Sequence, residues 1–280
     1  MKCREFLASL EAEISPLVDC RHHHHHCSMD ALVSLIFLCR EQRDRKLVFR
    51  LHSYLCRRGL EVYSSFGNQI ISMMIDLGFI QYALQVFGKL VRPNELCWNS
   101  LIKGYSKCGS IDQAFFAYDL MLRDDIFVCP NGRTFLPLIK ACIFAKDLKR
   151  GLPIHVQCVL SRWFERDHFV ASAIVEMYAK CGWILEAQNV FDRLSIRDSV
   201  TWTVLIEGYV GCGYGEEALK CYGLMQEEGI SPNTYTFACI LKACGSIKAL
   251  DKGKKTHEEI KSMGLLEKHT ILGNALVDMY

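Results

Sequence analysis

Nowhere in the chain are two cysteines separated by two residues, so the Cys-x-x-Cys element of most structural zinc sites is absent. Fifteen cysteines are nevertheless present. Their positions do not suggest a disulfide framework either. Cys108, Cys142, Cys181 and Cys244 fall at helix ends or on apolar faces, and are expected to be small buried thiols in a reducing compartment. Excess charge is also lacking: 33 Lys and Arg against 31 Asp and Glu leave +2, which neither demands a polyanionic partner nor excludes one, since cations can be concentrated on one face. The longest apolar candidate, Ala31 to Cys39, has nine residues, where about twenty are needed to cross a bilayer. No membrane partner is expected. The N-terminal stretch lacks the basic, acid-poor composition of an organelle transit peptide, because Glu5, Glu11, Glu13 and Asp19 interrupt it. The run His22 to His26, flanked by Cys20 and Cys27, has nothing around it to fix ligand geometry. It reads as low-complexity tail, with loose binding of a divalent metal as the alternative. No metal site and no cofactor is assigned.

What is present is an ordered composition, 50% hydrophobic and 23% charged, with internal repetition. Trp98 to Tyr105 returns as Trp202 to Tyr209 at a spacing of 104. Lys140-Ala141-Cys142 returns as Lys242-Ala243-Cys244, His155 as His257, and Glu176-Met177-Tyr178 as Asp278-Met279-Tyr280, each after 102 residues. Unrelated residue types recurring at one shared offset mark a higher-order repeat. Within each period three helical hairpins can be placed, of about 35, 36 and 31 residues. The clearest is Ser199 to Asn233. Trp202, Leu205, Ile206 and Tyr209 make one helical stripe, leaving the opposite face open; Gly211 and Gly213 offer left-handed positions at which to stop. Glu216 and Glu217 open a second helix carrying Ala218, Leu219, Tyr222 and Met225, and Gly229 and Pro232 end it. So short a pair cannot bury both stripes alone and must stack on similar neighbours. The expected fold is all-α, a right-handed α-solenoid.

In order, 1–28 is a non-repeat segment. Units follow at about 29–63, 64–94, 95–131, 132–167, 168–198, 199–233 and 234–269, with a partial unit at 270–280. Leu35, Ile36 and Cys39 face inward in the first. Arg43, Arg45, Lys46 and Arg50 form a basic segment that either touches phosphate or is a solvated face. Extra residues within Arg123 to Cys129 are expected to bulge between units. Tyr280 falls inside a helix without its partner, from which the chain is expected to be a fragment, a truncated gene product or the product of an incomplete gene model.

Cys97-Trp98-Asn99-Ser100 followed by Leu101 to Tyr105, Met177 to Gly182, Ser231-Pro232-Asn233, and Gly273 to Tyr280 closely resemble the pentatricopeptide repeat (PPR) proteins of plants. The alternation of unit lengths resembles the PLS subclass. The resemblance covers about 29 to 280 and implies binding of single-stranded RNA in a mitochondrion or plastid, toward processing, modification or C-to-U editing, with editing or processing factors supplied in trans. It also implies that the fifth residue of a unit and its last residue together read one base. On this sequence Thr203 with Asn233 resembles an adenine reader and Ser172 with Asp198 a purine reader, guanine foremost. Asn68 with Asn94, and Asn99 with Asn131, resemble pyrimidine readers, and Asn274 is the fifth residue of the partial unit. Val33, Leu136 and Ala238 occupy the fifth position of long units, cannot make that hydrogen bond, and are assigned spacing. With RNA running 5′ to 3′ along the chain, the expected core is two pyrimidines, an unread base, guanine, then adenine. Leu96, Val170 and Val200 resemble residues that wedge between bases, at about 1 to 3 kcal/mol per base.

Two rivals remain. Each polar residue taken singly is also an ordinary helix cap or surface residue. A tetratricopeptide-type scaffold would use the same hairpins without RNA specificity, though with a uniform length of about 34 residues. An enzyme is disfavoured: His257-Glu258-Glu259 supplies the His-x-Glu half of a zinc deaminase signature, but no Cys-x-x-Cys follows and His257 fills the slot of His155. No catalytic residue is assigned.

Overall fold

The structure is a computed structural model that describes residues 45–57, 59, 64–90, 92–123, 128–266 and 269–280. The His22–His26 run with Cys20 and Cys27, Val33, Leu35, Ile36, Cys39, Arg43 and positions 124–127 of the expected bulge lie outside the described residues, as do the side chains of Arg45, Lys46 and Arg50. Among the described residues the chain is all-helical, with fifteen helices and no strand, and no helix is long and apolar enough to cross a membrane.

Two compact units divide the chain, Met1–Gly104 and Tyr105–Tyr280. The first contains α1 (Arg45–Arg57), α2 (Ser64–Asp76), α3 (Ile80–Phe87) and most of α4 (Glu95–Lys107). Its core is made by α2, whose Phe66, Ile70, Ile71, Met73 and Met74 are buried against Val48, Leu51 and Leu55 of α1, Ala83 and Val86 of α3, and Cys97 and Leu101 of α4.

The second unit contains α5 (Ile111–Arg123), α6 (Gly132–Ala145), α7 (Leu148–Leu160), the single turn α8 (Trp163–Arg166), α9 (His168–Lys180), α10 (Ile184–Asp192), α11 (Ser199–Gly211), α12 (Gly215–Glu227), α13 (Thr234–Ser246), α14 (Leu250–Ser262) and α15 (Thr270–Met279). Helices α6, α9, α11, α13 and α15 each pack on the next in the row. The intervening α7, α10, α12 and α14 each pack on the helix before and the helix after. This is the layering of an α-solenoid, in which every hairpin is completed by its neighbours.

The central hairpin shows why. Trp202, Leu205, Ile206 and Tyr209 are buried, and the Trp202 ring meets Phe191 edge-on with centroids 4.6 Å apart. The expectation of a single stripe is too narrow, however. Thr201, Thr203 and Gly208 are buried as well, because α11 lies between α9 on one side and α13 on the other. At Gly208 a Cβ atom would come within 2.8 Å of Ala179 Cβ and Ile184 Cδ1, so only glycine permits that approach. The turn uses one left-handed residue, Gly213 (φ +83°). Gly211 instead remains within α11, a correction to its expected role as a stop.

The sequence period is a period of contacts. Phe87 meets Trp98 at 4.7 Å in the first unit as Phe191 meets Trp202 in the second. His155 Nδ1 lies 3.0 Å from the Tyr178 hydroxyl, and His257 Nδ1 lies 3.1 Å from that of Tyr280. Glu259, the acidic member of the His-x-Glu motif, accepts the Tyr222 hydroxyl at 2.9 Å. Cys142 and Cys244 are buried as expected, and burial pushes the Cys142 thiol up to about 12. Cys108 is exposed and Cys181 half-buried, so the expectation of buried thiols fails for these two: each follows the last residue of a helix, Lys107 or Lys180, where fewer neighbours cover it.

Candidate nucleic-acid interface

The residue that closes one hairpin opens the next helix. Asn131, Asp198 and Asn233 have extended backbones (φ −136°, −114° and −100°) and are the N-caps of α6, α11 and α13. Each side-chain oxygen accepts two backbone N–H groups that have no partner inside the helix. For Asn233 these are Tyr235 N–H at 2.9 Å and Thr236 N–H at 3.0 Å. Asp167 caps α9 in the same way, and Asn94 Oδ1 accepts Cys97 N–H at 3.1 Å. The alternative reading of these residues as helix caps is therefore correct as far as it goes. It accounts for one end of each side chain.

The other end of Asn233 points at the fifth residue of its own unit. Its Nδ2 donates to Thr203 Oγ1 at 3.2 Å, across thirty residues of sequence. Thr203 is only 9% exposed. Its hydroxyl donates to the Ser199 carbonyl at 2.5 Å and lies 2.7 Å from Thr236 Oγ1. At the preceding unit Ser172 donates to the His168 carbonyl at 2.7 Å, and it is His168, through Nε2, that reaches Asp198 Oδ2 at 2.9 Å. Asp198 Oδ1 accepts Val200 N–H at 3.1 Å and Thr201 N–H at 2.8 Å. Burial acts to raise the Asp198 carboxyl, but hydrogen bonds from Thr201 and His168, with the His168 charge, outweigh it and hold the group below its ordinary value.

In the first unit Asn68 is half-buried on α2, and among the described residues its Oδ1 is buried without a hydrogen-bond partner. Asn99 is buried on α4, its Nδ2 donating to Glu95 Oε1 at 3.3 Å. Asn131 stands at the head of α6, and Asn274 is exposed on α15. Leu136 and Ala238, the fifth residues of α6 and α13, are half-buried carbon side chains.

Exposed apolar side chains flank these positions. Leu96 and Val200, the second residues of α4 and α11, are 40% and 57% exposed. Val170 is 0% exposed and belongs to the core, which removes it from the base-wedging set. The residue on the equivalent face is Phe169, second in α9 and 72% exposed; Tyr235 and Ile271 hold that place in α13 and α15 at 66% and 41%. The signal for Phe169 was in the sequence, since Leu96 and Val200 each precede the fifth residue by three positions and Val170 precedes Ser172 by two.

Residues 96–126 and 169–197 match the profile of the PPR repeat, and 197–246 that of the PPR repeat family. The chain carries pentatricopeptide repeats. Over 234 residues it is 30% identical to the chloroplastic pentatricopeptide repeat-containing protein At3g22150 of Arabidopsis thaliana, covering 83% of this chain and 28% of that protein. A putative mitochondrial PPR protein of the same plant, At3g13770, is 31% identical over 88% of this chain and 39% of its own length. The chain thus spans well under half the length of these relatives. The crystal structure of the PPR protein PPR10 from maize superposes with a TM-score of 0.59 over 96% of this chain and 46% of that one, at 18% identity, and shows the shared fold.

Proposed function

We propose that this PPR array binds single-stranded RNA and selects bases through its unit-closing residues, acting as a specificity factor in organellar RNA processing, modification or editing. The observation that carries this reading is the meeting of Asn233 Nδ2 with Thr203 Oγ1. It joins a loop residue and a helix residue into one polar spot, beside the exposed Val200 and Tyr235 on which bases can stack.

The caps give the polar spots a sign. Asn233 spends its oxygen on two backbone N–H groups, so the amide end directed away from α13 is a donor. A donor suits the bare ring nitrogen on the Watson–Crick edge of adenine or cytosine. Asp198 caps with Oδ1 and meets His168 Nε2 with Oδ2 at 2.9 Å, and the lone pair that Oδ2 retains is an acceptor, which suits the ring N–H of guanine or uracil. Short side chains at the fifth position, Thr203 and Ser172, leave room for a purine, whereas Asn68 takes that room and favours a pyrimidine. Leu136 and Ala238 offer no polar atom and act as spacers. The two adjacent readers, Asp198 with Ser172 and His168 beside it and Asn233 with Thr203, then select guanine followed by adenine in the 5′ to 3′ direction. The uneven units support a PLS-type array, and relatives named chloroplastic or mitochondrial support an organellar site of action, with any catalysis supplied by partners in trans.

Fluorescence anisotropy against short single-stranded RNA pools tests the proposal. Binding with a preference for GA-containing RNA at moderate salt is expected. A protein-binding scaffold would show weak affinity and no base preference.

A further inference from the structure

Behind the reader Asn233 sits a buried hydroxyl whose hydrogen bonds determine what the reader can present. We infer that Thr236 is a positioning residue for base selection: by fixing the Thr203 hydroxyl proton it leaves Asn233 as the one group of the cluster able to address a base. This rests on the base-reading function proposed above.

The proton bookkeeping closes. Asn233 N–H donates to Thr236 Oγ1 at 3.1 Å, so the Thr236 hydroxyl accepts there and must send its own proton elsewhere. The neighbour within reach is Thr203 Oγ1, at 2.7 Å in a buried contact. Thr203 therefore accepts from Thr236 and from Asn233 Nδ2, which fills both lone pairs, and directs its own proton to the Ser199 carbonyl. A hydroxyl so committed has nothing to offer a base. Asn233 Oδ1 is held by Tyr235 N–H and Thr236 N–H, and one Nδ2 proton is engaged by Thr203. The second Nδ2 proton is the remaining donor. Thr236 itself is fully buried and touches no RNA.

One half of the arrangement recurs, the cap N–H received by a buried hydroxyl: Thr201 receives Asp198 N–H at 2.9 Å and lies 2.9 Å from both the Asp198 carbonyl oxygen and Oδ1, and Thr134 receives Asn131 N–H at 3.1 Å; both are fully buried. At the Asp167 cap the same position is Val170, and at Asn94 it is Cys97, neither of which supplies a hydroxyl. Caps backed by a buried threonine hydroxyl thus differ from those held by the helix end alone.

The test measures binding of the whole chain to four RNAs differing only at the base facing the central unit, for wild type, Thr236→Val and Thr236→Ser. Removing the hydroxyl frees a lone pair of Thr203, an acceptor that can then address the ring N–H of guanine or uracil. The adenine-to-guanine affinity ratio should fall about three- to tenfold in Thr236→Val and be retained in Thr236→Ser. A purely structural loss would weaken all four RNAs alike and leave that ratio unmoved. A folded Thr236→Val chain that keeps the wild-type ratio overturns the inference while the base-reading function stands. A wild type without base preference overturns that function itself. Should Thr236→Val not fold, hydrogen exchange of the wild-type Asn233 side-chain amide decides: one slow and one fast proton support the inference, and two fast protons refute it.

Discussion

Replacing Asn233 by Asp tests base selection with the smallest change of shape, an amide nitrogen becoming an oxygen. The cap survives, because Oδ1 still accepts Tyr235 N–H and Thr236 N–H at 2.9 and 3.0 Å in the parent geometry, and a negative charge at the head of α13 is favourable. The Nδ2 contact to Thr203 at 3.2 Å becomes oxygen facing oxygen, so the Thr203 proton must turn from the Ser199 carbonyl toward the new acceptor. Outward, a donor has become an acceptor. Adenine then faces an acceptor with its bare ring nitrogen and loses its bond, while guanine gains a charge-assisted one. Hydrogen bonds to charged groups contribute about 1.5 to 3 kcal/mol, so the adenine-to-guanine affinity ratio should shift about ten- to a hundredfold toward guanine. Anisotropy titrations with RNAs differing at that one base measure it, at fixed salt, with circular dichroism confirming the fold. An unchanged ratio in a folded, RNA-bound variant would refute the reasoning.

Three further outcomes follow from the same geometry. Phe169→Ala should weaken RNA binding by about 1 to 3 kcal/mol while leaving stability near wild type, whereas Val170→Ala should cost about 1 to 3 kcal/mol of stability by opening a cavity in the core; titration and urea unfolding of both variants distinguish the roles, and the reverse pattern would contradict the assignment of faces. Gly208→Ala places a methyl 2.8 Å from Ala179 and Ile184 and should cost about 1 to 3 kcal/mol by forcing α9 and α11 apart, which an unaltered urea midpoint would disprove. Asp198 has a folded value below its ordinary one, so its stabilisation is present above the unfolded value and is lost as pH falls through the folded value. Melting temperature should therefore drop as pH goes below about 4, and Asp198→Asn should flatten that drop; equal acid sensitivity of both chains would show that the cap is not responsible.

Much of this was legible in the sequence because short hairpins advertise their own faces and ends. Trp202, Leu205, Ile206 and Tyr209 announced a buried stripe and are buried. The spacing that returns Trp98 as Trp202 returns their contacts with Phe87 and Phe191 too. Burial on the flanks of α11 was not legible, since Thr201, Thr203 and Gly208 are covered by helices from neighbouring hairpins. A single-helix pattern carries no record of those partners. Val170 went astray for a related reason: an apolar residue two before the expected fifth position satisfied the pattern, and only an equal count from the helix start separates it from Phe169. The cluster of Asn233, Thr203 and Thr236 joins residues about a hairpin apart, so periodicity supplied the pair, but the direction of each proton required coordinates.

Selection of bound RNA from a randomised single-stranded pool tests the central claim most directly. Recovered sequences should share adjacent guanine and adenine in the 5′ to 3′ direction, set by Asp198 and Asn233. A pool recovered with flat base composition at every aligned position would contradict it.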